Sequence, residues 1–301
     1  MLDIKLYSLL KVSETGSFTK AAQFLSLTQP AVSQHIKQLE QELGAKLFNR
    51  AGSGLRLTKE GEIAVTYARR ISTLYQNMHQ SLADEQRRLT RITIGITHTS
   101  ESSVVAEVLA KYGYENEGLH ITIISDTISN LYSKLRAYEV DLAIVEGKVT
   151  DTSLNSILLD TDCLVLAVSN NNPLAKKSSV TVCELKKEKM IVRLPDSGTL
   201  NLFISSLESQ NLSIDEFNVI LEVNNIATIK DLIRRDFGVS ILARSACLDE
   251  LKKGKITALP VENLSMIREV NLVYNRDFEH LEILGGLTKT YNETMRLYRE
   301  E

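Results

Sequence analysis

Residues 28–44, TQPAVSQHIKQLEQELG, restrict the chain more than any other stretch. Val32, Ile36, Leu39 and Leu43 recur at spacings of four, three and four, so they share one side of a helix. Gln29, Ser33 and Lys37 fall on the other side, with Gln34 beside them. Thr28 can cap the first free amides, Pro30 fits a first turn where a missing N–H costs nothing, and Gly44 supplies the stop. A polar helix face usually does no more than meet water. These amides, hydroxyl and lysine are also groups that hydrogen-bond base edges and phosphates in a major groove. Upstream, Ala21 and Ala22 are small enough for two helices to cross closely, and residues 25–27 leave a short connection. The pattern predicts a helix-turn-helix whose second helix is presented to DNA.

The flanks extend this unit. Residues 2–14 read as a first helix with Leu6, Leu9, Leu10 and Val12 on its apolar side; Gly16 ends it and Ser17 caps the next. Beyond residue 44, segments 46–50 and 55–57 alternate around a turn at 52–54, as a two-stranded hairpin does. In a winged helix that hairpin is the wing, with Arg50 and Arg56 at its base in reach of phosphates. Thr58 then opens a helix running to about residue 88, some 45 Å long. Ile63, Tyr67, Ile71, Leu74, Met78 and Leu82 form one stripe along it. A stripe with nothing of its own domain to cover is expected to pair with a second copy.

The run LYSLLKVSETGSFTKAAQFLSLTQPAVSQHIKQLEQELGAKLFNR, followed by LTKEGE, resembles the N-terminal domain of LysR-type transcriptional regulators. Phe18, Ala21-Ala22, Leu25, residues 29–33, Ile36, Leu39-Glu40, Leu43-Gly44, Leu47-Phe48, Arg50, Leu57-Thr58 and Gly61 carry the likeness at fixed spacing. It is close over the first ninety or so residues and extends to the rest in length and layout. The resemblance implies an α+α/β chain: a winged helix-turn-helix DNA-binding domain over 1–58, a linker and dimerisation helix over 59–89, and an effector-binding domain over 90–301. The last is expected to be a two-lobed α/β, periplasmic-binding-protein-like fold, with lobe I at 90–161 and 267–301 and lobe II at 162–266.

The order of elements after Thr90 supports that layout on its own. Strands over 91–97, 120–125 and 140–145 alternate with helices over 104–112 and 128–138, the pattern of an open parallel sheet. Strands at 164–168, 190–193, 220–222 and 239–242 follow, with helices at 200–210 and 226–235, and residues 268–274 and 280–300 return to the first lobe. Ligands of open sheets sit beyond strand carboxyl ends, near helix N-termini. This marks Thr97, Thr99 and Ser100 after the first strand, Asp126 after the second and Glu146 after the third. In lobe II it marks Ser197, Gly198, Thr199 and Asn225. Helix capping is the commoner task for such hydroxyls, and a cap can also touch a ligand. The resemblance points the same way, since in LysR-type regulators the first-strand loop and the Ser/Thr-rich loop of lobe II commonly meet the effector. Thr97-His98-Thr99 is similar to the branch responding to sulfur metabolites; His98 itself reads as a surface or capping histidine. Neither hydroxyl-rich loop contains an arginine to clamp a carboxylate, and Arg193 at a strand end is the nearest candidate. Glu146 and Asp126 argue against a strongly anionic effector. This leaves a zwitterion, a neutral molecule or a weakly held anion, with an organic acid, an amino acid or a sulfur metabolite as the expected effector classes.

Charge and composition set the outer bounds. The 301 residues carry a net charge of −3, and this balance conceals an asymmetry. Residues 1–90 hold 12 Lys and Arg against 8 Asp and Glu, whereas the remainder holds 23 against 30. A basic head on an acidic body suits an electrostatic footprint confined to one part. No apolar run approaches the roughly 20 residues that span a bilayer, and no signal pattern opens the chain, so a cytoplasmic protein without a membrane partner is expected. Cys163, Cys183 and Cys247 lack disulfide or metal-ligand spacing and read as buried free thiols. Histidines 35, 79, 98, 120 and 280 form no catalytic or metal pattern, and no phosphate loop or nucleophile elbow occurs. The expectation is therefore no enzyme, no cofactor and no metal. The expected partners are double-stranded DNA, a second copy in a dimer or tetramer, a small-molecule effector and RNA polymerase. The competing reading is a small-solute-binding protein whose N-terminal helices engage another protein. A shift of its upstream DNA by the purified chain separates the two.

Overall fold

Short polar side chains open each helix of the N-terminal unit in the computed structural model, which describes residues 3–51 and 54–299. Helix α1 (Ile4–Thr15) begins at Asp3, whose side chain accepts from the Lys5 amide, and ends at Gly16 in the left-handed conformation. Ser17 caps α2 (Phe18–Phe24). Thr28 caps α3 (Gln29–Leu43) by accepting from the Ala31 amide, and left-handed Gly44 ends it. Strands β1 (Phe48–Ala51) and β2 (Gly54–Leu57) pair antiparallel, Phe48 opposite Leu57 and Asn49 opposite Arg56. Thr58 then caps α4 (Lys59–Glu85). Leu9, Val12, Ala21, Ala22, Val32, Ile36, Leu39 and Leu47 form the core of this unit, with Val65 and Ala68 from the start of α4. Leu43 departs from the expected apolar face. It is 54% exposed, because it lies in the last turn of α3, past the buried cluster. The turn expected at 52–54 lies largely outside the described residues, as do position 2 of the first expected helix and position 300 of the last.

Residues from Arg91 onward, apart from 136–139, form a second compact unit. Its elements are β3 (Thr90–Thr97), α5 (His98–Glu101), α6 (Val105–Glu115), β4 (Leu119–Asp126), α7 (Ile128–Arg136), β5 (Leu142–Glu146) and β6 (Leu154–Val168). There follow α8 (Val182–Leu185), β7 (Lys189–Val192), α9 (Gly198–Glu208), β8 (Asn218–Glu222), α10 (Ile226–Arg234) and β9 (Ser240–Ala243). The chain closes with α11 (Leu248–Lys252), β10 (Thr257–Leu259), β11 (Ile267–Asn275) and α12 (Leu281–Arg299).

The main sheet runs β10-β6-β11-β5-β3-β4, with β9 also on β6. It is mixed, where an open parallel sheet was expected. β3 and β5 are parallel, but β11 lies antiparallel between β5 and β6. The reason is the chain's return: β11 comes back into lobe I alongside the outgoing β6. β6 is also longer than expected. Its first part pairs with β11 from Leu154 opposite Asn275 to Cys163 opposite Ile267; its second part pairs with β9 and β10. One strand therefore serves both lobes. β7 and β8 form a parallel pair, joined to β9 through the bridge between Met190 and Val239.

Each lobe has its own core. Ile94, Ile96, Val108, Leu109, Ile144, Leu272 and Leu287 belong to lobe I, with Leu131, Leu135, Val145 and Val273 in a second cluster. Leu166, Leu185, Met190, Phe203, Leu207 and Ile241 belong to lobe II, with Ile191, Ile229, Leu242 and Cys247 beside them. Of the thiols expected to be buried, only Cys247 is; Cys163 is half-buried and Cys183 exposed. Burial pushes the Cys247 thiol up to about 12, which leaves it unreactive in the folded state.

Candidate functional site

Two surfaces gather the expected residues, one in each unit. On α3, Gln29, Pro30, Ser33, Gln34 and Lys37 are exposed, while Val32, Ile36 and Leu39 on the opposite face are buried. Thr28 is exposed at the helix start. The helix is anchored from behind: the Ser8 hydroxyl meets His35 Nδ1 at 2.8 Å, and Glu40 accepts from the Leu47 amide at 2.9 Å and from Lys46 Nζ at 2.7 Å. Burial alone would raise the Glu40 pKa, but Lys46 and the Leu47 amide outweigh it and hold the carboxyl below its ordinary value. Glu40 thus fixes α3 against the base of the hairpin. Arg56 is exposed on β2. Arg50 lies on β1 opposite Leu55, and its side chain is outside the described residues.

The second surface is a cleft of about 680 Å³ between the lobes. Thr97, Thr99, Asp126, Glu146, Ser197 and Gly198 line it, as expected from the strand ends. Its wall also includes His98, residues 127–130, Tyr132, Arg193, Leu194, Asp196, Asn201 and Asn224. Three of the expected residues stand elsewhere. Ser100 is buried behind the wall, its hydroxyl donating to Glu146 at 2.7 Å. Thr199 is buried too, 3.5 Å from Thr99 hydroxyl to hydroxyl and 3.4 Å from Arg268 Nη1. Asn225 caps α10 by accepting from the Thr228 amide, and the preceding Asn224 takes the lining position. The one-residue offset arises because the cap must face the helix axis, leaving its neighbour to face the cleft.

The charges of the cleft fall into satisfied and unsatisfied groups. Asp126 accepts from the Thr127 amide, Asn130 Nδ2 and Lys134 Nζ. Burial acts to raise its pKa, but these donors bring it down to about 2. Arg268, buried near the crossing strands, pairs with Asp162 at 3.3 Å, and Asp162 also accepts from the Ser245 hydroxyl and amide. Arg193 is different. It is 3% exposed, its Nη2 reaches only Asn224 at 3.5 Å, and Nε and Nη1 have no partner among the described residues. Burial lowers its pKa from the ordinary value, Glu146 and Asp196 oppose this, and Arg268 adds to it. The Ser197 hydroxyl, at the start of α9, neither caps the helix nor meets another partner among the described residues. Opposite, in lobe I, the buried Glu146 accepts from Thr97 Oγ1 at 2.8 and 2.7 Å and from Ser100 Oγ. The sequence marked Arg193 only as the nearest arginine, because nothing local shows that the side chain just past the end of β7 turns inward. Among the described residues no three His, Cys, Asp or Glu side chains gather to hold a metal ion. No described helix is long and apolar enough to cross a membrane.

Residues 5–62 match the family described as bacterial regulatory helix-turn-helix protein, lysR family, and residues 85–285 match the LysR substrate binding domain. The chain belongs to the LysR family. It is a LysR-type transcriptional regulator, with a helix-turn-helix and an effector-binding domain, and its relatives are regulators and not enzymes. Similar proteins include a probable RuBisCO transcriptional regulator of Thalassiosira pseudonana, 28% identical over 88% of this chain and 89% of that one. The HTH-type transcriptional regulator CysL of Bacillus subtilis (strain 168) is 24% identical, with 90% of each chain covered. Full-length CbnR, solved in complex with its target DNA, shares the fold at a TM-score of 0.68 and 16% identity, over 98% of this chain and 100% of that one. In LysR terms, α3 is the second helix of the helix-turn-helix, and the cleft lies within the substrate-binding domain.

Proposed function

We propose that this LysR-type regulator reads its operator with Gln29, Ser33, Gln34 and Lys37 of α3, oriented by Thr28 and Pro30 at the helix start. Arg50 and Arg56 of the hairpin contact phosphates, two copies join along α4, and dimers assemble into a tetramer. A small-molecule effector held in the cleft by Thr97, Thr99, Glu146, Ser197 and Gly198 controls DNA binding, and its target is chromosomal DNA in the cytoplasm. The observation that carries the reading is the division of α3. One face is buried to within 5% exposure at Val32, Ile36 and Leu39, and the other offers the amides of Gln29 and Gln34, the Ser33 hydroxyl and the Lys37 ammonium. That CbnR has been solved with its target DNA supports the same use of the helix.

The test is operator binding by electrophoretic shift or fluorescence anisotropy. Gln29→Ala is expected to cost about 1–3 kcal/mol at the cognate site and little on unrelated DNA. Lys37→Ala is expected to weaken both and to lower the slope of log affinity against log salt by about one. Cognate binding left unchanged by Gln29→Ala and Ser33→Ala together would overturn the assignment of the face.

A further inference from the structure

We infer that the effector is a small amino acid, bound as a bridge with its carboxylate on lobe II and its protonated amine on Glu146 of lobe I; this rests on the cleft being the effector site. In lobe II, Arg193 Nε, Arg193 Nη1 and the Ser197 hydroxyl are buried at the cleft without partners, and α9 starts there with no side-chain cap. A guanidinium buried to 3% exposure with no carboxylate in ion-pair contact, Glu146 and Asp196 acting on it only from farther off, is costly, and the remedy for such a charge is an anion with matched geometry. A planar carboxylate accepts from two guanidinium nitrogens in parallel and is also favoured at a helix N-terminus.

In lobe I the imbalance has the opposite sign. Glu146 is 8% exposed and holds hydroxyl donors from Thr97 and Ser100 but no cation among the described residues. Oε2 accepts a single hydrogen bond, from Thr97, which leaves it room for a further donor. Asp126 does not share this need, because Lys134 already neutralises it. The nearby Arg268 shows how the fold treats a buried arginine whose charge it pairs: Asp162 lies against Nη2, although Nε has no partner there either.

Each lobe therefore presents one charge without a contact partner, of opposite sign, to the same cleft, and the two act on each other only from a distance. A dicarboxylate, sulfate or phosphate would satisfy Arg193 and be repelled by Glu146 and Asp196. An amine alone would satisfy Glu146 and leave Arg193 unpaired. A zwitterion compensates both and enters with no net charge.

The experiment is a thermal-shift and calorimetric titration of the full-length protein. The probes are the common L-α-amino acids, the α-hydroxy acid and amine matched to each, and succinate, sulfate and phosphate. At least one amino acid is expected to raise Tm saturably. Its α-hydroxy acid and its amine should bind at least about tenfold more weakly. Arg193→Met should abolish the shift while leaving the Tm of the free protein equal or higher, since it removes an unpaired buried charge. Ser197→Ala should weaken binding severalfold. Glu146→Gln should erase the preference of the amino acid over its α-hydroxy acid. No shift with any amino acid, or one undiminished in its α-hydroxy acid, overturns the inference. If succinate, sulfate or phosphate stabilises instead and Arg193→Met removes that effect, the cleft stands as the effector site and the zwitterion fails. A ligand whose shift survives both Arg193→Met and Glu146→Gln overturns the cleft assignment itself.

Discussion

Adjacent glycines in α12 meet opposite surroundings. A methyl group on Gly285 would touch nothing within 4 Å, whereas one on Gly286 would lie 2.5 Å from the Tyr112 ring. Gly285→Ala should therefore stabilise by roughly 0.5–1 kcal/mol, since alanine loses less backbone freedom on folding. Gly286→Ala should destabilise by about 1–3 kcal/mol, because the α6–α12 packing must open. Urea midpoints of the two variants moving in the same direction would refute this account. At Asp126 the folded-state pKa of about 2 lies below the ordinary 3.8. The group contributes stability that is fully present above about pH 4 and is lost as pH falls toward 2, on the order of 1–2 kcal/mol. In Asp126→Asn the unfolding free energy should fall less steeply over that window than in the parent protein. Superimposable acid limbs would show that the Lys134 and Asn130 contacts contribute nothing.

Helix α4 is divided along its length rather than around its girth. Gly61, Val65 and Ala68 pack into the N-terminal core; Gly61 lies so close that a methyl group there would stand 2.1 Å from the Leu47 carbonyl oxygen. Ile63, Tyr67, Ile71, Leu74, Met78 and Leu82 are between 44 and 62% exposed along some 30 Å of helix. Six large apolar side chains in one exposed stripe have the spacing of the pairing surface proposed above, on which a second copy would offer the same stripe in return. Replacing Ile71 and Leu74 together by Asp should shift the protein toward monomer in sedimentation velocity and weaken operator binding, with the Tm of the N-terminal unit little changed. A double variant that sediments as the parent does would place the dimer contact elsewhere.

For the molecule as a whole, the sequence determined what is local. Thr28 and Thr58 mark helix starts by accepting from amides three residues on, Gly44 marks a helix end by donating its amide to the Glu40 carbonyl, and Val32, Ile36 and Leu39 mark a buried face through a period of 3.6. The same locality made the alternation of strands and helices after Thr90 readable, and with it the strand ends that line the cleft. Only the tertiary structure decided the rest. That β6 is one strand through both lobes depends on pairing with β11, β9 and β10, all distant in sequence. The polar residues of its first half, such as Asp160 and Thr161, carry no alternating pattern to announce it. Glu146 is tied to Thr97 across 49 residues, and Arg268 to Asp162 across 106. Whether a charged side chain is paired or left for a ligand depends on such long-range neighbours, because the energy of a buried charge is set by what surrounds it in space. Arg193 and Arg268 look alike in the sequence; the fold pairs one and leaves the other facing the cleft.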